Sequence, residues 1–130
     1  MDGLDMCLAE ISMDKDYSLD YKIISSEYEK FDDKTINNIK KTIDNHLHLN
    51  ELNEYLGKKY TNIVEKYYTN YSIDLISMHG QTIKHIDKVE SIQAGSPKFL
   101  KDKFNVPIIY NFRRLDIQNG GNGAPLMPFL

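Results

Sequence analysis

Two consecutive stripes of apolar residues at helical spacing most constrain how this chain can fold. The first stripe covers residues 36–47 and the second covers residues 49–67, with apolar side chains recurring every three or four positions. That period places the apolar side chains on one face of an α-helix. The sequence therefore predicts two successive amphipathic helices, whose stripes are Ile36, Ile39, Ile43 and Leu47, then Leu49, Leu52, Leu56, Tyr60, Ile63 and Tyr67.

Local signals support the ends of both helices. Asp32 or Asp33 can cap the first helix, because a carboxylate placed there accepts hydrogen bonds from the free amides of the first turn. Glu51 and Glu54 lie in the first turn of the second helix, where negative charge suits the helix dipole.

Gly57 weakens the second helix by about 1 kcal/mol relative to alanine, which allows a kink at that position.

Before the helices, residues 4–11 predict a buried strand, because they are mostly apolar and residues 6–9 form an uncharged run up to Glu10. Cys7 is then a small core residue on this strand. The preceding Asp2-Gly3 pair is typical of a hairpin turn. The strand is accordingly predicted to be the second of a hairpin whose first strand is absent.

The remaining patterns complete a mixed α/β domain. Ser96-Pro97 predicts the start of a third helix, which ends near Asn105, a residue that tolerates the left-handed conformation. A loop is predicted from Asn111 onward. Further strands are predicted over residues 21–26, 73–78, 83–86, 91–94 and 106–110. The order of elements predicts a single α/β domain over residues 1–130.

Charge and cysteine content restrict the partners and the compartment. The chain has 130 residues, with 16 Lys and Arg against 19 Asp and Glu and no block of one sign. This balance argues against a nucleic-acid or membrane-surface partner, which requires a concentrated basic face. No stretch approaches the roughly 18 apolar residues of a membrane span, and no signal peptide precedes the first strand. A single cysteine cannot form an internal disulfide, so a reducing compartment, the cytoplasm, is predicted.

The first segment that could carry chemistry is Asp2, Gly3, Leu4 and Asp5. A tight turn with two carboxylates beside a strand can hold a metal ion or face phosphates through its backbone amides. An ordinary hairpin turn is the alternative interpretation of these residues.

The second segment, residues 79–82, follows an apolar strand directly. Loops at the carboxyl ends of strands are where α/β proteins place ligands. His79, Gln81 and Thr82 supply both donors and acceptors, which suits a polyol such as a sugar. His85 follows six positions after His79, but no cysteine or acidic residue lies at a metal-ligand spacing, so no metal site is predicted here.

The third segment combines charged residues with glycines. Arg113 and Arg114 are adjacent and can clamp a carboxylate or phosphate in a bidentate way, while Asp116 can orient them or accept from a sugar hydroxyl. The glycines at 120, 121 and 123 let the main chain approach a ligand closely. A flexible solvent loop is the alternative.

Together and in this order, the segments resemble the motifs of the anhydro-N-acetylmuramic acid kinase family. The first matches an Asp-Gly-x-Asp turn, and residues 79–82 with His85 match a His-Gly-Gln-Thr segment that ends in another histidine. Residues 93–95 with Pro97 match a Gln-x-Gly segment. Residues 111–116 match an Asp-Phe-Arg-x-x-Asp loop, and residues 120–126 with Pro128 match the Gly-Gly-Gln-Gly-Ala-Pro-Leu stretch after it. The resemblance covers the whole chain but only about the first third of a family member.

The resemblance implies a two-lobed, actin-like ATPase fold with ATP and sugar in the cleft between the lobes. This chain would be its mixed-sheet N-terminal lobe, truncated at both ends. The family reaction opens the 1,6-anhydro ring of the sugar with water and phosphorylates the 6-hydroxyl with ATP and Mg²⁺, in peptidoglycan recycling. By similarity, the ATP-facing residues are Asp2, Gly3, Leu4 and Asp5. The residues lining the sugar side are His79, Gln81, Arg113, Arg114, Asp116, Gly120 and Gly121, and a homodimer is a further expectation.

Departures from the family pattern bear on activity. The Gly-Thr-Ser part of the phosphate loop is absent, and Asn111 stands where the family has aspartate, which removes a charge beside Arg113. The aspartate that activates water in the family lies in a later stretch beyond Leu130, so no catalytic residue is assigned in this chain. We expect the chain alone to lack turnover. The alternatives are a non-catalytic sugar-binding module and a decaying reading frame whose product barely folds.

Overall fold

The computed structural model describes residues 2–45 and 48–124. Positions that the sequence analysis used at Leu47 and at residues 125–128 lie outside the described residues. Within them, helices and strands confirm the mixed α/β class. The elements are β1 (Gly3–Met13), β2 (Leu19–Lys30), α1 (Asp33–Ile43), α2 (Leu49–Tyr68), β3 (Ile76–Ser77), β4 (Gln81–Ile86), β5 (Glu90–Ala94), α3 (Lys98–Phe104), β6 (Ile108–Ile109) and α4 (Phe112–Gln118).

The described strands form three two-stranded ladders. β1 pairs with β2 and β4 pairs with β5, both antiparallel, while β3 and β6 run parallel. The parallel ladder is short, and hydrogen bonds from Ile76 N to Pro107 O (3.0 Å) and from Met78 N to Ile109 O (2.9 Å) join its two strands. The strands predicted over 73–78 and 106–110 therefore exist, but each is reduced to two residues.

The two predicted amphipathic helices are confirmed as α1 and α2. Asp32 caps α1 by accepting from Thr35 N at 2.7 Å, and Lys59 Nζ on α2 donates to the same carboxylate at 2.6 Å. The hydrogen bond from Lys59 and those from Thr35 hold the pKa of Asp32 well below its ordinary value. The buried core of the described residues contains Phe31, Ile39, Leu52, Leu56, Tyr60, Ile63 and Ala94, to which both stripes contribute.

Gly57 serves packing within a helix that continues on both sides of it. α2 continues unbroken from Leu49 to Tyr68, with Gly57 buried in it. A Cβ at this position would lie 2.6 Å from Ser96 O and 2.8 Å from Phe99 Cδ2. The segment between β5 and α3 is also bonded to α2, because the backbone carbonyl of Asn53 accepts from Ser96 N at 2.9 Å. The absent side chain thus lets the segment between β5 and α3 lie directly on the helix.

The first strand differs from its prediction in three ways. Asp2 and Gly3 form no hairpin turn, because Gly3 pairs with Lys30 in the ladder and Asp2 O accepts from Phe31 N. β1 is not buried along its length. β2 covers only one edge of β1, and the far end of β1, residues 10–13, faces solvent. Cys7 is exposed, which contradicts its assignment to the core. Sequence apolarity predicted burial, but only the segment near Leu4 and Met6 packs against the core.

The third helix agrees with its prediction to within a residue at its start. Lys98 N donates to Ser96 Oγ at 3.3 Å, while Pro97 occupies the cap position. Asn105 ends the helix in the left-handed conformation, with φ 54° and ψ 39°, as its type allows.

Replacing Gly57 by alanine tests the packing role of this glycine. Helix propensity alone would make the change stabilising by about 1 kcal/mol. Because the new methyl group would overlap the carbonyl of Ser96, we expect a net loss of about 1–3 kcal/mol in the free energy of unfolding, measured by urea denaturation. Asn62→Ala, at an exposed position of the same helix, is the control and should be neutral or stabilising. A stabilised Gly57→Ala protein would contradict this account.

Candidate functional site

Arg113, on α4, joins the second predicted segment to the third. Its Nε donates to His79 Nε2 at 2.7 Å, and its Nη1 donates to the carbonyl of Gly123 at 3.3 Å. One guanidinium therefore connects His79, which lies two residues before β4, with the helix α4 and the glycine loop, which we define as residues 120–123. Arg113 is half-buried. The planar fork of an arginine side chain suits this bridging role, because its donors hold fixed directions.

The hydrogen bond from Arg113 also fixes the tautomer of His79. Because Nε2 accepts from the guanidinium, the proton of the neutral ring lies on Nδ1, which faces the carbonyl of Gly80 at 3.0 Å. Gly80 adopts φ +77°, and a Cβ there would lie 2.8 Å from Ala94 O. Both nitrogens of His79 are thus engaged by protein atoms, so in this arrangement the ring orients Arg113.

Asp116 holds the glycine loop from the other side. Its carboxylate accepts from Gly123 N at 2.8 Å, and its backbone carbonyl accepts from Gly121 N at 2.9 Å. A Cβ at Gly121 would collide with that carboxylate, and Gly123 has φ +79°. The loop therefore needs glycine at both positions, once for close approach and once for a left-handed backbone.

The loop predicted from Asn111 onward is wrong for its first part. Residues 112–118 form α4, preceded by Asn111 in the left-handed conformation with φ 64°. Arg113 and Asp116 are three positions apart on this helix, so they share a face and both reach Gly123. Asn and Asp tolerate this backbone conformation better than most residues. The Asn111 of this chain and the aspartate of the family pattern therefore both suit the position before the helix.

The helix also corrects the expected clamp of two adjacent arginines. Consecutive helical residues do not face the same way, and the two side chains differ in environment. Arg113 bonds within the protein, whereas Arg114 is exposed and makes no hydrogen bond or ion pair among residues 2–45 and 48–124. The free cationic group at this end of α4 is therefore Arg114.

Gln81 and Thr82 lie on a strand, where a loop was predicted. Gln81 begins β4 opposite Ala94, and its side-chain amide donates to the carbonyl of Thr82 at 3.2 Å. The sequence pattern hid this strand, because residues 79–82 are polar and follow an apolar run. Gln81 is half-buried and lies on β4, two residues after His79.

The predicted ATP-facing segment belongs to the β1–β2 hairpin. Asp5 pairs with Tyr28, and a Cβ at Gly3 would overlap the ring of Tyr28. Burial, together with the negative charges of Asp2 and Asp5, raises the pKa of the Tyr28 hydroxyl. The hydrogen bonds that join His79, Arg113, Asp116 and the glycine loop do not include Gly3, Leu4 or Asp5.

Sequence reasoning assigned no site role to His85 or to the turn after it. His85, on β4, is 22% exposed and lies 2.8 Å from the Asp87 carboxylate through Nε2. A Cβ at Gly123 would lie 3.3 Å from its Cε1, and Lys88 N donates to the carbonyl of Asn122 at 3.2 Å. The β4–β5 turn thus supports the glycine loop. The only sequence signal was that His85 ends the His-Gly-Gln-Thr motif.

In the described parts of the chain, no group of three or more His, Cys, Asp or Glu residues is arranged to hold a metal ion. Among the helices of those same residues, none is both long and apolar enough to cross a membrane.

Comparison with known proteins agrees with the motifs. The family model for anhydro-N-acetylmuramic acid kinase matches residues 1–130. The chain belongs to this family. The kinase of Pelagibacter ubique is 33% identical over 98% of this chain and 36% of its own length. The kinase of Francisella tularensis subsp. novicida is 32% identical over 100% of this chain and 38% of its own length. The kinase of Caldanaerobacter subterraneus is 32% identical over 98% of this chain and 37% of its own length. The chain spans little more than a third of the length of these curated relatives.

Replacing Asp116 by alanine tests how this family member holds its glycine loop. The substitution removes the carboxylate that accepts from Gly123 N, and a hydrogen bond to a charged group contributes about 1.5–3 kcal/mol. We expect hydrogen exchange of the Gly123 amide to accelerate by roughly ten- to a hundredfold, measured by NMR, while the core amides of α2 stay protected. Asp102→Ala, which removes an exposed acid on α3, is the control. Unchanged exchange at Gly123 would show that Asp116 does not hold the loop.

Proposed function

We propose that this chain forms the sugar-binding wall of an ATP-dependent anhydro-N-acetylmuramic acid kinase. The single observation that carries the proposal is the Arg113 bridge, which holds the glycine loop to α4, the helix that also carries the exposed Arg114. Membership of the family supports the substrate class. In the complete enzyme, the reaction would open the 1,6-anhydro ring with water and phosphorylate the 6-hydroxyl, so that cell-wall sugar returns to metabolism.

The chemistry of the sugar matches the groups at this site. The substrate carries a lactyl carboxylate, an N-acetyl group and ring hydroxyls. Arg114 supplies a charged donor for the carboxylate, and charge-assisted hydrogen bonds of this kind are the stronger ones. Gly120 in the glycine loop has open space where a side chain would stand, so a sugar can approach the main chain there. Arg113, whose donors already serve His79 and Gly123, would act by positioning this surface.

The nucleotide side rests on the resemblance and on donor chemistry. Asp2 and Asp5 bring carboxylate oxygens, which Mg²⁺ prefers as ligands, to the start of the β1–β2 hairpin. ATP with Mg²⁺ would supply the phosphoryl group that the sugar hydroxyl accepts. We include in the proposal an N-terminal lobe of an actin-like fold, a cytoplasmic setting and a homodimer, which rest on the sequence and on the resemblance.

The resemblance implies that turnover requires groups outside residues 1–130. Phosphoryl transfer depends on positioning and charge stabilisation around a closed site. By resemblance, the aspartate that activates water belongs to a stretch beyond Leu130. A second candidate is therefore a sugar-binding module without kinase activity. It is favoured by one observation: the hydrogen bonds of the site form between residues 79 and 123, without the ATP-facing segment. Sugar-dependent ADP formation by the 130-residue chain would exclude this candidate.

Replacing Arg114 by glutamine tests the proposed sugar site. We expect the affinity for 1,6-anhydro-N-acetylmuramic acid to fall by about tenfold or more, because a charge-assisted hydrogen bond is lost. The affinity for 1,6-anhydro-N-acetylglucosamine, which lacks the lactyl carboxylate, should stay the same. Isothermal titration calorimetry of both sugars measures the two effects.

Lys101→Gln, which removes one exposed positive charge from α3, provides the control for net charge and should bind both sugars normally. Equal losses for the two sugars in the Arg114→Gln protein would contradict recognition of the carboxylate by this residue. Failure of the unaltered chain to bind either sugar would contradict the proposed site.

A further inference from the structure

His85 presents a polar atom that the network around Arg113 does not use. Its ring is mostly buried, with 22% of the side chain exposed, and Nε2 lies 2.8 Å from Oδ1 of Asp87. An ionised carboxylate can only accept hydrogen bonds, so the Nε2 atom of His85 carries a proton and donates it. The neutral ring then has an unprotonated Nδ1, which is a hydrogen-bond acceptor.

This acceptor is buried and has no hydrogen-bond partner within residues 2–45 and 48–124. Buried polar atoms in folded proteins are paired in the large majority of cases, so an exception calls for a physical reason. A surplus acceptor of this kind is poorly solvated, and it gains most from a donor that enters with a ligand.

The acceptor lies beside the glycine loop. Cε1 of His85, which lies between the two ring nitrogens, would be 3.3 Å from a Cβ built on Gly123. Gly123 itself is bonded to Arg113 and Asp116, and Lys88 N holds the neighbouring Asn122 carbonyl. The unpaired nitrogen is therefore one bond away from the ring atom that adjoins the glycine loop, where we place the sugar.

We propose that His85 is a specificity-determining residue of this site, whose Nδ1 accepts a hydrogen bond from a hydroxyl or amide N–H of the bound sugar. Asp87 is the positioning residue that keeps the proton on Nε2 and so leaves Nδ1 free to accept. The inference rests on the proposed function, because it assigns a further contact to the same sugar site.

Such a contact selects for ligands that carry a donor. A site built around a buried acceptor rejects an analogue without the matching donor strongly, since the acceptor then stays unpaired. This differs from the role proposed for Arg114, which requires a ligand with a negative charge. The two residues would therefore recognise different groups of one sugar.

The ring nitrogens of His85 can be observed directly by ¹⁵N NMR of the unaltered chain, titrated with 1,6-anhydro-N-acetylmuramic acid. Without sugar, we expect Nε2 to be protonated and Nδ1 to be unprotonated and free of a hydrogen bond. With sugar, the Nδ1 resonance should shift as it accepts a hydrogen bond, while Nε2 keeps its proton. A purely structural role for the ring would leave Nδ1 unchanged.

His85→Phe supplies the second measurement, because it keeps a ring beside Gly123 and removes both nitrogens. We expect it to weaken binding of the sugar by about tenfold, as for the loss of one hydrogen bond that also leaves the donor of the ligand unpaired. His48→Phe, at an exposed histidine before α2, is the matched control and should bind normally.

Each outcome decides between the two proposals. Shifts of the glycine-loop amides without a shift of Nδ1 would overturn the role of His85 and leave the sugar site standing. A protonated or already hydrogen-bonded Nδ1 in the free chain would also overturn that role. Absence of any sugar-dependent shift in the loop or the ring would overturn the sugar site, and the role of His85 with it.

Discussion

The candidate site depends on one guanidinium that joins three parts of the chain. Arg113 donates to His79 and to Gly123, and Asp116, one helical turn further along α4, accepts from Gly123. Since Arg113 and Asp116 share a helix face, a short helix is enough to hold both His79 and the glycine loop. The same arrangement leaves the next side chain, Arg114, pointing to solvent and available to a ligand.

The packing of α2 against the end of β5 explains how the short β4–β5 ladder can support the site. α2 buries Leu52 and Leu56 in the core, and Ala94 at the end of β5 packs into the same cluster. Asn53 on α2 accepts from Ser96 N and, through its side chain, from Gly95 N at 2.8 Å. The end of β5 is therefore fixed to a long helix, and the β4–β5 ladder extends from that anchor to the turn that supports the glycine loop.

Much of this fold was predictable, because its strongest signals are local. The helical stripes and the cap at Asp32 depend on spacing and on one side chain, and both are confirmed. The errors arose where burial or tertiary contacts decide the outcome. Cys7 lies on an apolar strand that stays largely uncovered. Gly57 packs against Ser96, which is distant in sequence. At the site, the motifs located Arg113 and Asp116, but not the helix that orients them. The support from His85 was missed because it comes from a neighbouring ladder.

Replacing Arg113 by lysine tests the central claim most directly, because lysine keeps the charge and loses the planar fork that bridges two acceptors. The measurement is the titration of Arg113→Lys and the unaltered chain with 1,6-anhydro-N-acetylglucosamine, a sugar without the carboxylate. The account predicts that the variant loses most of its affinity and that the Gly123 amide exchanges faster, because the bridge is broken. Unchanged affinity and unchanged exchange would show that the bridge does not organise this site.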